Sequence, residues 1–579
     1  MTDDVIRATC KRRESVCITS IRSLPPTLIV IAHSVEDPFY YLHNFQQVLE
    51  WVELRYADLL EAEEQAFIRA FGLLPQASRG LLVRMVMRKG QLFRASKLDY
   101  AEIGCTRQAL EPLLHHQWVS TDAELSLEQL FALLRKEEVA ECFVAQLTHP
   151  RAAKSLLLTQ LQALAMPARS FAEWFPACSD LIVEWRLQAL CDRLRLLFFG
   201  NLYQDWSEFV LADLGLLRYE QVAFSADSRA LRQRAEVELA MALHDCAERL
   251  ELGEPPARVL AALEGLHSDN PWLVRRRSRL LFQLGQQCER VGDWDLALAV
   301  YADCRHPQAR IRQVRVFERS EQWAPALALA SELAAAPANP LEVQALERML
   351  PRLRRKLGGP PQPRKRASTV RLVELELPLE QSLLGVEEAV RLHLAQEGGQ
   401  AHYVENTLFN SLFGLLCWEA VFAPVPGAFF NPFQAAPQDL HDADFQSRRG
   451  ELFEACLGML DDDRYQQRIR QCFSAKQGLQ SPFVFWGMLN ETLLDQALTC
   501  LPPAHLKQCF LRLLQDVKNN RTGMPDLIQF WPQEGRYRMV EVKGPGDRLQ
   551  DNQLRWLDFC HAHGLPVEVW HVRWSGQAA

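Results

Sequence analysis

Apolar residues recur at helical spacing through the first two-thirds of the chain, and alternating β-favouring runs appear only near its end. From Tyr40 to Arg94, Phe45, Val48, Leu49 and Val52 mark one helix face, and Phe67, Phe71 and Leu74 mark another. Ser126-Leu-Glu-Gln129 opens a helix as a capping box, with the Ser126 hydroxyl accepting from the Gln129 backbone and the Gln129 side chain reaching back. Leu130, Leu133 and Leu134 follow on one face. Between Ala230 and Leu357 the pattern is almost wholly amphipathic helix, and it repeats. Gly292-Asp-Trp294-Asp-Leu-Ala297-Leu298 is echoed by Glu321-Gln-Trp323-Ala-Pro-Ala326-Leu327, at an interval a little shorter than a standard tetratricopeptide unit. An aromatic followed three residues later by a small residue suits stacked helix pairs, so this block predicts a short solenoid. Gly358 to Thr369, GGPPQPRKRAST, has no apolar periodicity and predicts a linker.

Beyond the linker the pattern changes. Val404 to Phe422 predicts a helix burying Leu408, Phe409, Leu412, Leu415 and Leu416. Leu527 to Trp531 and Tyr537 to Val542 predict strands, separated by the turn composition Pro532-Gln-Glu-Gly535. Folded as a hairpin centred between Gln533 and Glu534, the two runs set Asp526 opposite Glu541. Side chains alternate along a strand, so Glu541 and Lys543 share a face while Val542 points away. An amphipathic helix from Leu549 to His563 and a strand from Pro566 to Val572 complete a strand, strand, helix, strand core.

Composition narrows the classes. At 579 residues the chain is too long for a single core, since domains rarely exceed roughly 250–300 residues. Hydrophobic residues at 48% and charged residues at 23% are the balance of a globular protein. The best candidate for a span, Leu28-Ile-Val-Ile-Ala32, is far short of the roughly 20 residues that cross a bilayer. The stretch to about Ser20 is polar and weakly patterned, a loose tail. The 15 cysteines contain no Cys-x-x-Cys pair, which predicts buried thiols in a reducing compartment. A net charge of −8 means that nucleic acid could be held only through local basic patches.

Two stretches carry candidate chemistry. Asp526 and Glu541 at one end of the hairpin repel unless a cation intervenes, and Lys543 is one such cation. A divalent ion is a better one, and hard oxygen ligands suit Mg²⁺ or Mn²⁺. An ion held there polarises a phosphoryl oxygen and lowers the pKa of a bound water, while Lys543 positions the water or stabilises charge on the phosphate. The turn Gly544-Pro-Gly546-Asp-Arg548 adds Arg548 as a phosphate partner. Glu405 is expected on the apolar side of its helix, as a third ligand or as a cap of the helix N-terminus. The second stretch, Arg79 to Lys97, holds Arg79, Arg84, Arg88, Lys89, Arg94 and Lys97 without an acid among them. It reads either as a solvated helix face or as a phosphate-contacting surface.

These residues resemble the restriction-endonuclease-like superfamily and, within it, the virus-type replication-repair nuclease domain. The longer resemblance is to the Fanconi-anaemia-associated nuclease family. It is carried by Glu405, Asn431-Pro-Phe-Gln434, Phe445-Gln-Ser-Arg-Arg449 and Arg521-Thr-Gly-Met-Pro-Asp-Leu527. It continues through Val540-Glu-Val-Lys-Gly-Pro545, Asp547-Arg-Leu549 and Gln553 with Trp556-Leu557. At the front, Tyr40-Tyr-Leu-His-Asn-Phe45 and Arg94-Ala-Ser-Lys-Leu-Asp-Tyr100 are similar to the family's N-terminal region.

The resemblance implies a mainly α-helical N-terminal two-thirds and a C-terminal α/β nuclease. Its parts are a DNA-binding region at 1–97, a SAP-like domain at 98–170, a helical linker with tetratricopeptide-like repeats at 171–357, the linker 358–369 and the nuclease at 370–579. It implies a 5′ flap endonuclease and 5′-to-3′ exonuclease acting in interstrand cross-link repair on branched or flapped double-stranded DNA. Glu405, Asp526, Glu541 and the carbonyl of Val542 are then metal ligands, Lys543 is the catalytic lysine, and Gln553 joins Arg548 at the DNA. No residue is carried over for the family's 5′-phosphate pocket. No ubiquitin-binding zinc finger precedes the matched region, which implies a short bacterial form, expected to be a monomer in the cytoplasm at the nucleoid, with no membrane association and room for a protein partner on the repeats. Two other readings use the same residues: a helical adaptor with a degenerate nuclease domain, and a four-way junction resolvase.

Overall fold

The computed structural model describes residues 37–147, 149–204, 206, 217–360 and 370–575. The polar tail, Leu28–Ala32 and linker residues 361–369 lie outside the described residues.

Helices α1 (Tyr40–Tyr56), α2 (Ala62–Leu73) and α3 (Gln76–Val86) pack through the residues that the periodicity singled out, with Phe45, Val48, Val52 and Phe71 all buried. A short antiparallel sheet of Leu92–Arg94, Ile182–Trp185 and Val119–Ser120 closes this bundle. Beside it, the residues from Ala123 to Ile182 gather their own apolar cluster. Here the Ser126 capping box forms as expected: Ser126 Oγ accepts from Gln129 N at 3.3 Å and Gln129 Oε1 accepts from Ser126 N at 2.8 Å.

The repeat block stacks α4 (Pro271–Val291), α5 (Trp294–Ala302), α6 (Ala309–Arg319), α7 (Trp323–Ala335) and α8 (Pro340–Lys356), each against the next. Ala297 and Ala326, the small residues of the two echoed motifs, are completely buried where neighbouring helices approach. Gly292, at φ 80°, ends α4 in the left-handed conformation that turns the chain into α5.

In the last domain a five-stranded sheet has the order β1-β5-β4-β3-β2, with β1 (Arg371–Pro378), β2 (Gln400–Tyr403), β3 (Leu527–Trp531), β4 (Arg536–Lys543) and β5 (Val567–Ser575). Helix α9 (Val386–Gln396) precedes β2, α10 (Leu408–Leu416) follows it, and α11 (Asp551–Ala562) joins β4 to β5. β5 runs parallel to both neighbours, whereas β2, β3 and β4 pair antiparallel. The hairpin register is the one expected from the sequence, with Leu527 opposite Val540 and Trp531 opposite Arg536.

One large apolar core runs continuously from the N-terminal helices through the nuclease domain. The segments that carried the family resemblance build this junction. Trp51 Nε1 donates to the Phe430 carbonyl at 2.9 Å, and Asn431 Nδ2 donates to the Phe198 carbonyl at 3.0 Å. Arg449 is buried against Asp439 at 2.8 and 2.9 Å. On the other side α8 grips α11: Arg348 reaches Asp551 at 2.5 and 2.6 Å, and Arg555 Nη1 donates to Gln344 Oε1 at 2.6 Å. The described cysteines are free and mostly buried. Among the described residues no helix is long and apolar enough to cross a membrane.

Candidate active site

The hairpin sets the centre of the site. Continued past Leu527 and Val540, its register puts Asp526 beside Glu541 and Pro525 beside Val542. Met539 N is spent on the β5 side, at the Pro566 carbonyl, so the alternating backbone of β4 turns Val542 toward β3. Pro525 has no N–H to offer there. The Val542 N–H is taken instead by Asp526 Oδ2 at 2.8 Å, and its carbonyl, aimed the same way, meets no donor from Pro525.

Asp526 is 6% exposed, Glu541 0% and Lys543 8%, so three ionisable groups share one buried corner. Lys543 Nζ donates to Glu541 Oε1 at 2.5 Å. Glu541 Oε2 is buried without a hydrogen-bond partner. Burial, helped by the charge of Asp526, pushes Glu541 up to about 8 even against Lys543. Burial likewise pushes Asp526 up to about 6, against the Val542 N–H and Lys543, with Glu405 and Glu387 adding to the rise. Such a corner carries more negative charge than its protein cation relieves. An orphaned buried oxygen and a set of hard oxygen donors fit a divalent cation.

Glu405 stands elsewhere than expected. Helix α10 begins at Leu408, and Glu405 lies in the turn before it, neither on the helix face nor capping it. Just past β2 the Val404 N–H bonds the Asp526 carbonyl at 2.9 Å, and the chain then turns through Asn406 at φ 53°. Glu405 Oε2 accepts from Tyr403 Oη at 2.5 Å and Oε1 from Asn406 Nδ2 at 3.0 Å. It is near enough to raise both Asp526 and Glu541. The three acids share a neighbourhood, but among the described residues no three His, Cys, Asp or Glu donors close on one point. Both oxygens of Glu405 are hydrogen-bonded, and one oxygen of Glu541 is held by Lys543.

The basic stretch of the N-terminal bundle is not six unopposed cations. Arg94 is buried and bonds Asp180 at 2.7 Å and Glu138 at 2.6 Å. Arg84 bonds Glu102 at 2.5 Å and lies over the Tyr41 ring. Glu102 lies just past the stretch, whereas Glu138 and Asp180 come from distant segments that the local sequence could not reveal. Arg79 is half-buried, whereas Arg88, Lys89 and Lys97 are exposed. Arg548 is exposed beyond β4, and Gln553 Oε1 accepts from Gln550 N at 2.8 Å, capping α11.

Sequence reasoning missed two groups. Glu387, in the first turn of α9, is close enough to raise Asp526 and Tyr403. A cluster of cations also bridges the repeats and the nuclease: His306 lies near Lys518 and Arg279, whose charges add to burial in holding it down at about 4. His441 is lowered by burial together with Arg521, Lys518 and Arg279. The Arg521 carbonyl accepts from Asn410 Nδ2, which also bonds the Asn406 carbonyl, so this cluster borders the Glu405 turn. Arg279 stands in the basic run Arg275 to Arg279, but nothing in that run places it beside Lys518 and Arg521.

Comparison with known proteins matches residues 39–120 to the FAN1 HTH domain, 124–174 to the Fanconi anemia-associated nuclease SAP domain, and 460–574 to the VRR-NUC domain. The last match contains Asp526, Glu541 and Lys543, while Glu405 precedes it. The chain is 56% identical to the Fanconi-associated nuclease 1 homolog of Pseudomonas aeruginosa over 94% of its own length and 98% of that protein. It is 25% identical to human Fanconi-associated nuclease 1 over 92% of its length and 62% of that protein. A crystal structure of paFAN1 bound to 2-nt 5′-flap DNA with a gap superposes with a TM-score of 0.87 at 56% identity, covering 94% of this chain and all of that one.

Proposed function

Since this chain belongs to the Fanconi-associated nuclease family and is a structure-selective nuclease, we propose that it cuts 5′ flaps in branched DNA, degrades 5′ to 3′, and serves interstrand cross-link repair at the nucleoid. Nucleases of this kind are metal-dependent, and the ion proposed is Mg²⁺ or Mn²⁺. Asp526, Glu541, the Val542 carbonyl and Glu405 would hold it. The observation that carries the reading is the orphaned Glu541 Oε2 in a buried corner shared with Asp526 and Lys543.

When bound, the cation supplies positive charge to the phosphoryl oxygens and makes water a better nucleophile. The chain's own residues do the rest. Lys543, held by Glu541, keeps an ammonium at the edge of the buried corner, where charge building on the phosphate is stabilised in a low dielectric. The Val542 N–H orients the Asp526 carboxylate from the neighbouring strand. Arg279, His306, Lys518 and Arg521 offer donors to strand phosphates next to the Glu405 turn. Asp442 already pairs Arg279 at 2.5 Å, so Lys518, which is exposed, is freer than Arg279.

The test compares flap, nicked, splayed and four-way DNA with Mn²⁺ or chelator, using wild-type protein and Lys543→Ala. Cleavage of the flap first, lost with chelator and with the variant, supports the reading. A flap that persists equally with Mn²⁺ and with chelator makes the protein an adaptor, and preferred symmetric cutting of four-way DNA makes it a resolvase.

A further inference from the structure

Glu405 lies in a turn, yet its carboxylate is held at both oxygens, by Tyr403 Oη at 2.5 Å and Asn406 Nδ2 at 3.0 Å. The other end of the Asn406 carboxamide, Oδ1, accepts from Met524 N at 3.1 Å, two residues before Asp526. The Asn406 carbonyl accepts from Asn410 Nδ2 at 2.7 Å, and the same amide donates to the Arg521 carbonyl at 2.9 Å. Two carboxamides thus tie the turn of Glu405 to the segment that delivers Asp526. Tyr403 is the last residue of β2 and pairs with Leu527, immediately after Asp526. Asn406 sits at φ 53°, a left-handed conformation that asparagine accepts more readily than most residues.

We propose that Tyr403 and Asn406 are positioning residues, which fix the Glu405 carboxylate at a preset spacing from Asp526 so that both meet one divalent cation. The proposal rests on reading these acids as ligands. A carboxylate on a turn has several rotamers, and gathering it beside Asp526 and Glu541 is opposed by charge. Two neutral donors offset that repulsion and select one orientation. Each carboxylate oxygen has a second lone pair, so the donors orient the group without blocking it. Small hard cations tolerate little error in ligand placement, so the orientation sets affinity.

Tyr403→Phe removes one oxygen from a partly exposed ring, and Asn406→Gly removes the carboxamide while keeping a residue at ease with positive φ. Mn²⁺ is titrated calorimetrically into each DNA-free protein. Each variant is expected to bind Mn²⁺ about tenfold more weakly, the loss typical of a removed ligand-orienting partner. The Mn²⁺ concentration at half-maximal cleavage should rise by the same factor, with kcat recovered at saturating Mn²⁺ and KM for flap DNA unchanged. A lower Tm with unaltered Mn²⁺ affinity in both variants, beside normal wild-type binding, overturns the proposal alone. Wild-type protein that takes up no Mn²⁺ overturns the reading of the acids and this proposal with it.

Discussion

Asp526 Oδ2 accepts the Val542 backbone N–H at 2.8 Å, so the acid at the head of one strand is clamped by the backbone of the next. The clamp needs an oxygen and not a charge. Asp526→Asn can therefore keep it, with Oδ1 of the amide as acceptor. This variant should fold and bind flap DNA as wild type does while losing roughly a hundredfold or more in cleavage rate, the scale set by removing a charge-stabilising group. Gel-shift and single-turnover assays on one preparation check both halves, and wild-type cleavage would remove Asp526 from the site.

Glu541 makes the cation-free protein sensitive to pH. Its pKa is raised to about 8 in the folded chain, mainly by burial and Asp526, and that of Asp526 to about 6, mainly by burial. The folded state binds these protons more tightly than the unfolded chain, whose carboxylates titrate near 4. The resulting stability is therefore complete below about pH 4 and is lost as pH rises through 6 and 8. In chelator, Tm should fall between pH 5 and pH 8 by more in wild type than in Glu541→Gln. Mn²⁺ should restore most at pH 8. Parallel Tm profiles for the two proteins would show that the corner is not electrostatically strained.

Lys89 and Lys97 should behave differently from Arg94. The two lysines are exposed, so replacing both with alanine should lower the slope of log K against log salt by roughly one to two, with little effect on Tm. Arg94→Ala leaves Asp180 and Glu138 without their buried partner and should cost about 3 kcal/mol of stability. Denaturation midpoints and salt titrations separate the two effects. An unchanged slope in the lysine variant returns this surface to a solvated helix face.

Gly523 runs close beneath the start of α11. Its φ is +90°, and a Cβ there would lie 2.7 Å from the backbone carbonyl carbon of Asn552. Gly523→Ala combines left-handed strain with a clash against backbone, and it should destabilise the protein by more than about 2 kcal/mol. Because the segment leads directly to Asp526, cleavage should fall further than the folded fraction does. Chemical unfolding alongside initial rates measures both, and a variant as stable as wild type would mean that α11 shifts freely.

Features made by near neighbours in the chain were decided by the sequence itself. The turn Pro532 to Gly535 and the alternation along Leu527–Trp531 and Arg536–Lys543 fixed the register, and with it the meeting of Asp526, Glu541 and Lys543. The Ser126 box and the Trp294 and Trp323 motifs are likewise short-range patterns of hydrogen bonding and side-chain size. Tertiary structure alone decided what those charges face. Glu138 and Asp180 reach Arg94 from remote segments. Glu405 stands outside its helix, where the preceding Val404 N–H bonds the Asp526 carbonyl, and the Asn406 carboxamide meets the Met524 N–H only in the folded chain. Periodicity is written in adjacent residues, whereas the partner of a buried charge depends on how remote segments pack, and only the folded chain fixes that.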